Sequence, residues 1–310
     1  MHTILGANGT IAQELSRALI SKTTHIRQVS RHPAKVNQTD ELCTADLLDA
    51  EATSKAVAGS DVVYLVAGLP YKASVWHMQW PRVMDNVINA CLKHKAHLIF
   101  FDNVYAYGHV DGVMTEETPF NPCSKKGEVR AKIATQLLEE IQRGELTAMI
   151  VRAADFYGPN AILSFPHGAI FERLKAGKSP QWIGKTNKIH TFTYTPDAGQ
   201  ALAILGNTSS AFGQTWHLPT SKEQLTGAGF LKLACDIAGS PHKWQVAPRW
   251  MLKIMGTFMP ILRENDEMMY QFEFDYRFDS SKIESKMGIK ATSYEDGIRE
   301  SLKLKSAAPA

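Results

Sequence analysis

The sequence predicts an α/β protein: a doubly wound parallel sheet with a smaller lobe behind it. Three observations predict this. Short, nearly continuous apolar runs alternate with amphipathic stretches through residues 1–150. Such strands, separated by helices, belong to sheets covered on both faces. A glycine-rich turn follows the first apolar run directly and opens the first helical pattern. After Gly158-Pro159 the alternation breaks up, and helices mix with isolated strands.

Taken in order, strands are expected at 2–5 (HTIL), 25–29 (HIRQV), 61–67 (DVVYLVA), 97–102 (HLIFFD) and 147–152 (TAMIVR), with a short one near 41–44. Helices are expected at 10–22, 49–58, 78–94 and 128–143. The sheet domain should span 1–158, with 188–212 returning to it. The smaller lobe should hold 159–187 and 213–310. The apolar segment 250–262, "WMLKIMGTFMPIL", reads as a buried helix of that lobe. Its one charge is Lys253, so no basic face develops for a membrane surface.

Composition excludes several classes. A chain of 310 residues with 44% hydrophobic residues is ordinary for one large domain plus a lobe. The net charge of +3, with no long Lys/Arg block, argues against nucleic acid. No apolar run reaches the roughly 18 residues of a membrane span. The start, "MHTILGANG", enters a strand at once and lacks a signal-peptide layout. Cys43, Cys91, Cys123 and Cys235 are far apart and form no C-x-x-C pair. They are expected as reduced packing thiols of a cytoplasmic protein, with no metal site. The partners expected are a small-molecule substrate and a second copy of the chain in a homodimer.

"ILGANGTIAQEL" sets Gly6, Gly9 and Ala12 at G-x-x-G-x-x-A. Gly6 permits the tight turn. Gly9 lets the backbone approach a pyrophosphate, which would sit on the N-terminus of the next helix, beside Asn8, Thr10 and Ile11. This is the signature of a Rossmann-type dinucleotide site. At the end of the second strand an NAD site carries an acidic residue for the ribose hydroxyl. Here the chain reads Ser30-Arg31, with no carboxylate before Asp40. A hydroxyl and a planar guanidinium suit a 2′-phosphate, which favours NADP over NAD. Asp46 and Leu47, in "TADLLD", fall where the adenine would lie; Asp46 could equally cap a helix.

In "GANGTIA", "ADLLD", "DVVYLVAG", "FFDNVYAYG", Lys132, "VRAADFYGP" and "FTYTPDAGQAL", the chain resembles the NAD(P)-dependent epimerase/dehydratase family, the extended or atypical short-chain dehydrogenases. The likeness runs to about residue 303. It implies that Ala67 and Gly68 lie along the nicotinamide ribose and that Lys132 holds the ribose hydroxyls. It also implies that residues 154–159 form the wall between cofactor and substrate.

The departures are chemical. Tyr107-Gly108 fixes a register in which Asn103 takes the place of the family's serine, with Asp102 before it. With Lys132 as the family's lysine, its tyrosine falls on Glu128. None of the nine tyrosines has a lysine four residues later, so the usual pair is absent from the whole chain. The family's helix asparagine becomes Trp80. A glutamate beside a cation is held in its charged form, so Glu128 should pair or accept a proton rather than give one. The catalytic candidates are therefore Lys132, Asn103, Tyr105 and Glu128, with Tyr107, Asp155, Tyr157 and His190 as neighbours at the carboxyl end of the sheet. Two readings stay open. One is an NADP-dependent oxidoreductase acting on a small carbonyl or sugar-like substrate. The other is a non-catalytic dinucleotide-binding sensor.

Overall fold

The computed structural model describes residues 1–257 and 260–303. A seven-stranded parallel sheet forms its centre. From one edge the strands run Thr215–His217, Ala148–Arg152, β5 (His97–Asp102), β4 (Val62–Leu65), β1 (His2–Leu5), β2 (Ile26–Ser30) and β3 (Glu41–Thr44). The chain reverses its winding at β1 and β4, so their carboxyl ends frame the crevice where open α/β sheets bind ligands.

Side chains of β4 and β5 alternate between two cores. Val63, Leu65, Leu98 and Phe100 point into one, with α2 (Ala50–Val57), α3 (Ala73–His94) and α4 (Lys125–Gln142). Tyr64 and Ile99 point into the other, with α1 (Thr10–Leu19) and the helix Thr195–Gly206. Burying each large apolar side chain contributes about 1.5–3 kcal/mol, so both layers hold the sheet between helices. A third core, around Phe171, Trp182, Phe192 and Phe230, belongs to the lobe.

Three expectations need correction. The strand Thr215–His217, read as part of the lobe, pairs with Ile150–Arg152 and closes the main sheet. Its three residues are too few to show a period in the sequence. The helix expected at 128–143 begins at Lys125, because Ser124 caps it by accepting from the Gly127 amide at 3.0 Å. The apolar segment at 250–262 is only partly buried where described. The helix Arg249–Gly256 leaves Trp250 66% and Ile254 57% exposed, one turn apart, while Leu252 packs on the lobe core. Residues 258–259 of that segment lie outside the described residues.

Candidate active site

The glycine turn is built against the end of β4. Gly6 has φ +105, and a Cβ there would lie 2.4 Å from Ala67 Cα. Only glycine fits both the dihedral and the contact. Asn8 also has a positive φ. Its Nδ2 donates to the His32 carbonyl at 2.6 Å, and its Oδ1 accepts from the Ala34 amide at 3.0 Å. Asn8 thus ties the turn to the loop after β2. Thr10 donates to the Asn160 carbonyl at 3.0 Å, and Ile11 is buried in the core. Around Gly9 and Gly68 the space is open. A Cβ on Gly9 would meet only the Gly6 carbonyl, at 3.4 Å, and one on Gly68 would meet nothing within 4 Å. Gly9 caps α1 without a side-chain hydrogen bond, so the first amides of the helix face this space. These residues fit a dinucleotide's phosphates.

At the adenosine end, Ser30 Oγ accepts from the His32 amide at 3.2 Å, and Arg31 is exposed. Asp40 is 2% exposed and turned inward, accepting from the Val36 and Asn37 amides and from Gln28. It offers no carboxylate to a ribose. Asp46 accepts from the Leu48 amide at 3.0 Å, a local turn. Asp49, not Asp46, caps α2, by accepting from Ala52. Leu47 is half-buried against the core.

The largest departure lies on α4. Glu128 and Lys132 are both exposed. The residues that α4 turns inward at the same spacing are Lys126 and Arg130, 0% and 4% exposed. The helix can lie this close because residue 127 is glycine; a Cβ there would sit 2.5 Å from the Tyr105 carbonyl. Lys126 and Arg130 thus occupy the inward positions, four residues apart. The sequence reading placed Lys132 by resemblance to the family; the inward face of α4 lies two residues earlier, at Lys126 and Arg130. The pattern Lys-Gly-x-x-Arg carried the signal: its glycine marks the close approach.

Arg130 is turned onto the end of β5. Its Nε donates to Asp102 Oδ1 at 2.7 Å, and its guanidinium lies 4.5 Å from the Trp80 ring. Arg152 donates to the other carboxylate oxygen at 3.1 Å and to the Tyr107 hydroxyl at 2.9 Å. Tyr107 meets His217 Nε2 at 2.8 Å. One buried aspartate therefore holds two buried arginines. Lys126 Nζ lies 2.9 Å from Glu264 and 2.7 Å from Glu267, both from the lobe, and 4.5 Å from the Tyr71 ring.

Beyond Lys126 the mouth of the sheet is lined by tyrosines. Tyr105 and Tyr71 hydroxyls are 3.4 Å apart, and Tyr105 stacks on Trp76. Burial, then Tyr71 and Asp155, push the Tyr105 pKa well above its ordinary value. A phenol so placed keeps its proton and is a weak acid. Asn103 Oδ1 accepts from the Tyr105 amide at 3.0 Å and so shapes the loop. Asp155 reaches His190 at 2.9 Å. Tyr157 is buried in the lobe core, away from this opening. Among the described residues no cluster suits a metal ion, no helix is long and apolar enough to cross a membrane, and all four cysteines are free.

The seven-stranded parallel sheet, with its glycine turn after the first strand, is a Rossmann-like α/β fold. Residues 2–216 match the model of the NAD dependent epimerase/dehydratase family, and the chain belongs to that family. Among curated proteins it is 23% identical over 291 residues to 3beta-hydroxysteroid-dehydrogenase/decarboxylase isoform 2 of Arabidopsis thaliana, covering 84% of this chain and 51% of that protein. It is 26% identical over 211 residues to the uncharacterized protein y4nL of Sinorhizobium fredii, covering 65% of this chain and 57% of that protein. The chain thus spans little more than half the length of these relatives. Among solved structures, UDP-glucose 4-epimerase of Thermotoga maritima superposes with a TM-score of 0.80 at 17% identity, over 98% of each chain. A dTDP-glucose 4,6-dehydratase from Streptomyces venezuelae, solved with NAD, gives 0.79 at 17% identity, over 98% of this chain and 96% of that one.

Proposed function

We propose that this protein is an NADP-dependent oxidoreductase that acts on a small carbonyl or alcohol substrate without the family's tyrosine–lysine couple. One observation carries the reading. The open space at Gly9 and Gly68 stands at the same carboxyl end of the sheet as the neighbouring Tyr71, Tyr105 and Asp155. The glycine turn would hold the pyrophosphate, and Ser30 with Arg31 the 2′-phosphate. The dinucleotide, when bound, supplies or takes the hydride. Tyr105, with its proton retained, would hydrogen-bond the substrate oxygen, and Asn103 would keep Tyr105 in place.

The dehydratase neighbour was solved with NAD; the case for NADP rests on this chain's own Ser30 and Arg31. The plant relative is named a hydroxysteroid dehydrogenase, which puts ketone–alcohol pairs first among substrates to test. The sensor reading is favoured by one fact: Lys126 and Arg130 are engaged by Glu264, Glu267 and Asp102. The test is titration with NADPH and NADH, followed by nicotinamide absorbance with a panel of ketones and sugar nucleotides. Tighter NADPH binding with turnover of any ketone supports the enzyme. Nucleotide binding with no turnover across the panel supports the sensor.

A further inference from the structure

We propose that Asp155 and His190 form the proton-holding pair of this site, with His190 holding the proton and Asp155 passing it to substrate; this rests on the oxidoreductase reading. His190 is 2% exposed. Its Nδ1 lies 3.1 Å from the Gln271 carbonyl, and its Nε2 lies 2.9 Å from Asp155 Oδ2. A carbonyl and a carboxylate only accept. A neutral imidazole has one N–H and one lone pair, so it cannot serve both. The contacts are satisfied when both ring nitrogens carry protons, as an imidazolium paired with the carboxylate. The ring faces agree: His190 lies between Phe272, 4.5 Å away at 23°, and Tyr276, 4.7 Å away at 21°. A cation is favoured over such faces. Trp182 and Phe192 close the edges.

Asp155 connects this buried proton to the mouth. It follows the strand Ala148–Arg152 at the carboxyl end of the sheet, and its side chain is 23% exposed. Its second oxygen, Oδ1, receives no hydrogen bond among the described residues. The titratable groups that feel its charge are Tyr71, Tyr105, Tyr270 and Tyr276, which surround the opening. When hydride reaches a substrate carbonyl carbon, the carbonyl electron pair moves to oxygen. The Nε2 proton of His190 passes to the Asp155 carboxylate, and the carboxylic acid so formed gives its proton to that oxygen. His190 remains neutral, with Nδ1–H on Gln271, until solvent restores its second proton. Alcohol oxidation runs the same steps backwards. His190 touches no substrate and acts through Asp155.

The test is nitrogen NMR of protein labelled at histidine, with the His190 signals assigned by their loss in His190→Asn. At about pH 8 an ordinary histidine is neutral. Here both His190 nitrogens should be protonated. In Asp155→Asn, whose amide can donate to Nε2, that nitrogen should lose its proton. Nucleotide affinity should stay within about twofold, while single-turnover hydride transfer falls at least a hundredfold. A lone pair on either His190 nitrogen in the native protein overturns the proposal, as does full hydride transfer in Asp155→Asn. If that variant fails to fold, the native spectrum alone decides. Absence of any nicotinamide-nucleotide binding overturns the oxidoreductase reading instead, and the spectrum still judges the pair.

Discussion

At the nucleotide end of the site the backbone carries the geometry; at the substrate end side chains carry it. Gly6 is fixed by a positive φ and by contact with Ala67, and Gly9 faces open space beside it. None of this depends on which chemistry follows. At the other end every position is a side chain held by other side chains: Lys126 by Glu264 and Glu267, Arg130 by Asp102, His190 by Asp155. There each group depends on the side chains that hold it. Backbone geometry tolerates few substitutions, whereas a side-chain constellation can be replaced as a set.

The largest expected effect breaks the side-chain end. Asp102→Asn removes the one carboxylate between Arg130 and Arg152, leaving two guanidinium groups buried among Trp80, Phe100, Tyr107 and Phe120. Breaking a buried pair of this kind costs about 3–5 kcal/mol. Urea denaturation should show that loss. A change below about 1 kcal/mol would mean that the arginines find other partners.

The backbone end should break differently. Gly9→Val places its side chain where the pyrophosphate would lie. Gly9 has φ −68, and its only close neighbour is the Gly6 carbonyl, so the melting temperature should hold. Nucleotide affinity should fall at least a hundredfold, about 2.7 kcal/mol. Retained binding would place the phosphates elsewhere. A smaller effect sharpens the cofactor assignment. Arg31→Ala should weaken NADPH by about 1.5–3 kcal/mol, the worth of a hydrogen bond to a charged group, and leave NADH nearly unchanged. Equal losses for both nucleotides would remove Arg31 from the 2′ position.

The same contrast explains what the sequence could disclose. The glycine turn, the strands and the βα order were legible because each depends on local spacing. The inward face of α4 was not. Its register hangs on the Ser124 cap and on the Gly127 contact with Tyr105, and the contact is a tertiary fact. The Asp155–His190 pair is separated by 35 residues and joined only by the fold.

The smallest expected effect decides between the sequence reading and the structure. If Lys132 held the ribose, Lys132→Ala would cost binding and turnover together. The structure puts Lys132 on the exposed face of α4, with Glu128 one turn before it. An exposed Glu–Lys arrangement at i, i+4 is worth a few tenths of a kcal/mol. Lys132→Ala and Glu128→Gln should therefore each leave nucleotide affinity and hydride transfer within about twofold, and lower stability by no more than about 0.5 kcal/mol. Lys126→Met is the paired control. It leaves Glu264 and Glu267 without their buried partner and should disturb the lobe's hold on the site. A loss of tenfold or more in Lys132→Ala, with Lys126→Met silent, would show that α4 sits in the register first read from its sequence. The inward pair would then be Glu128 and Lys132 after all.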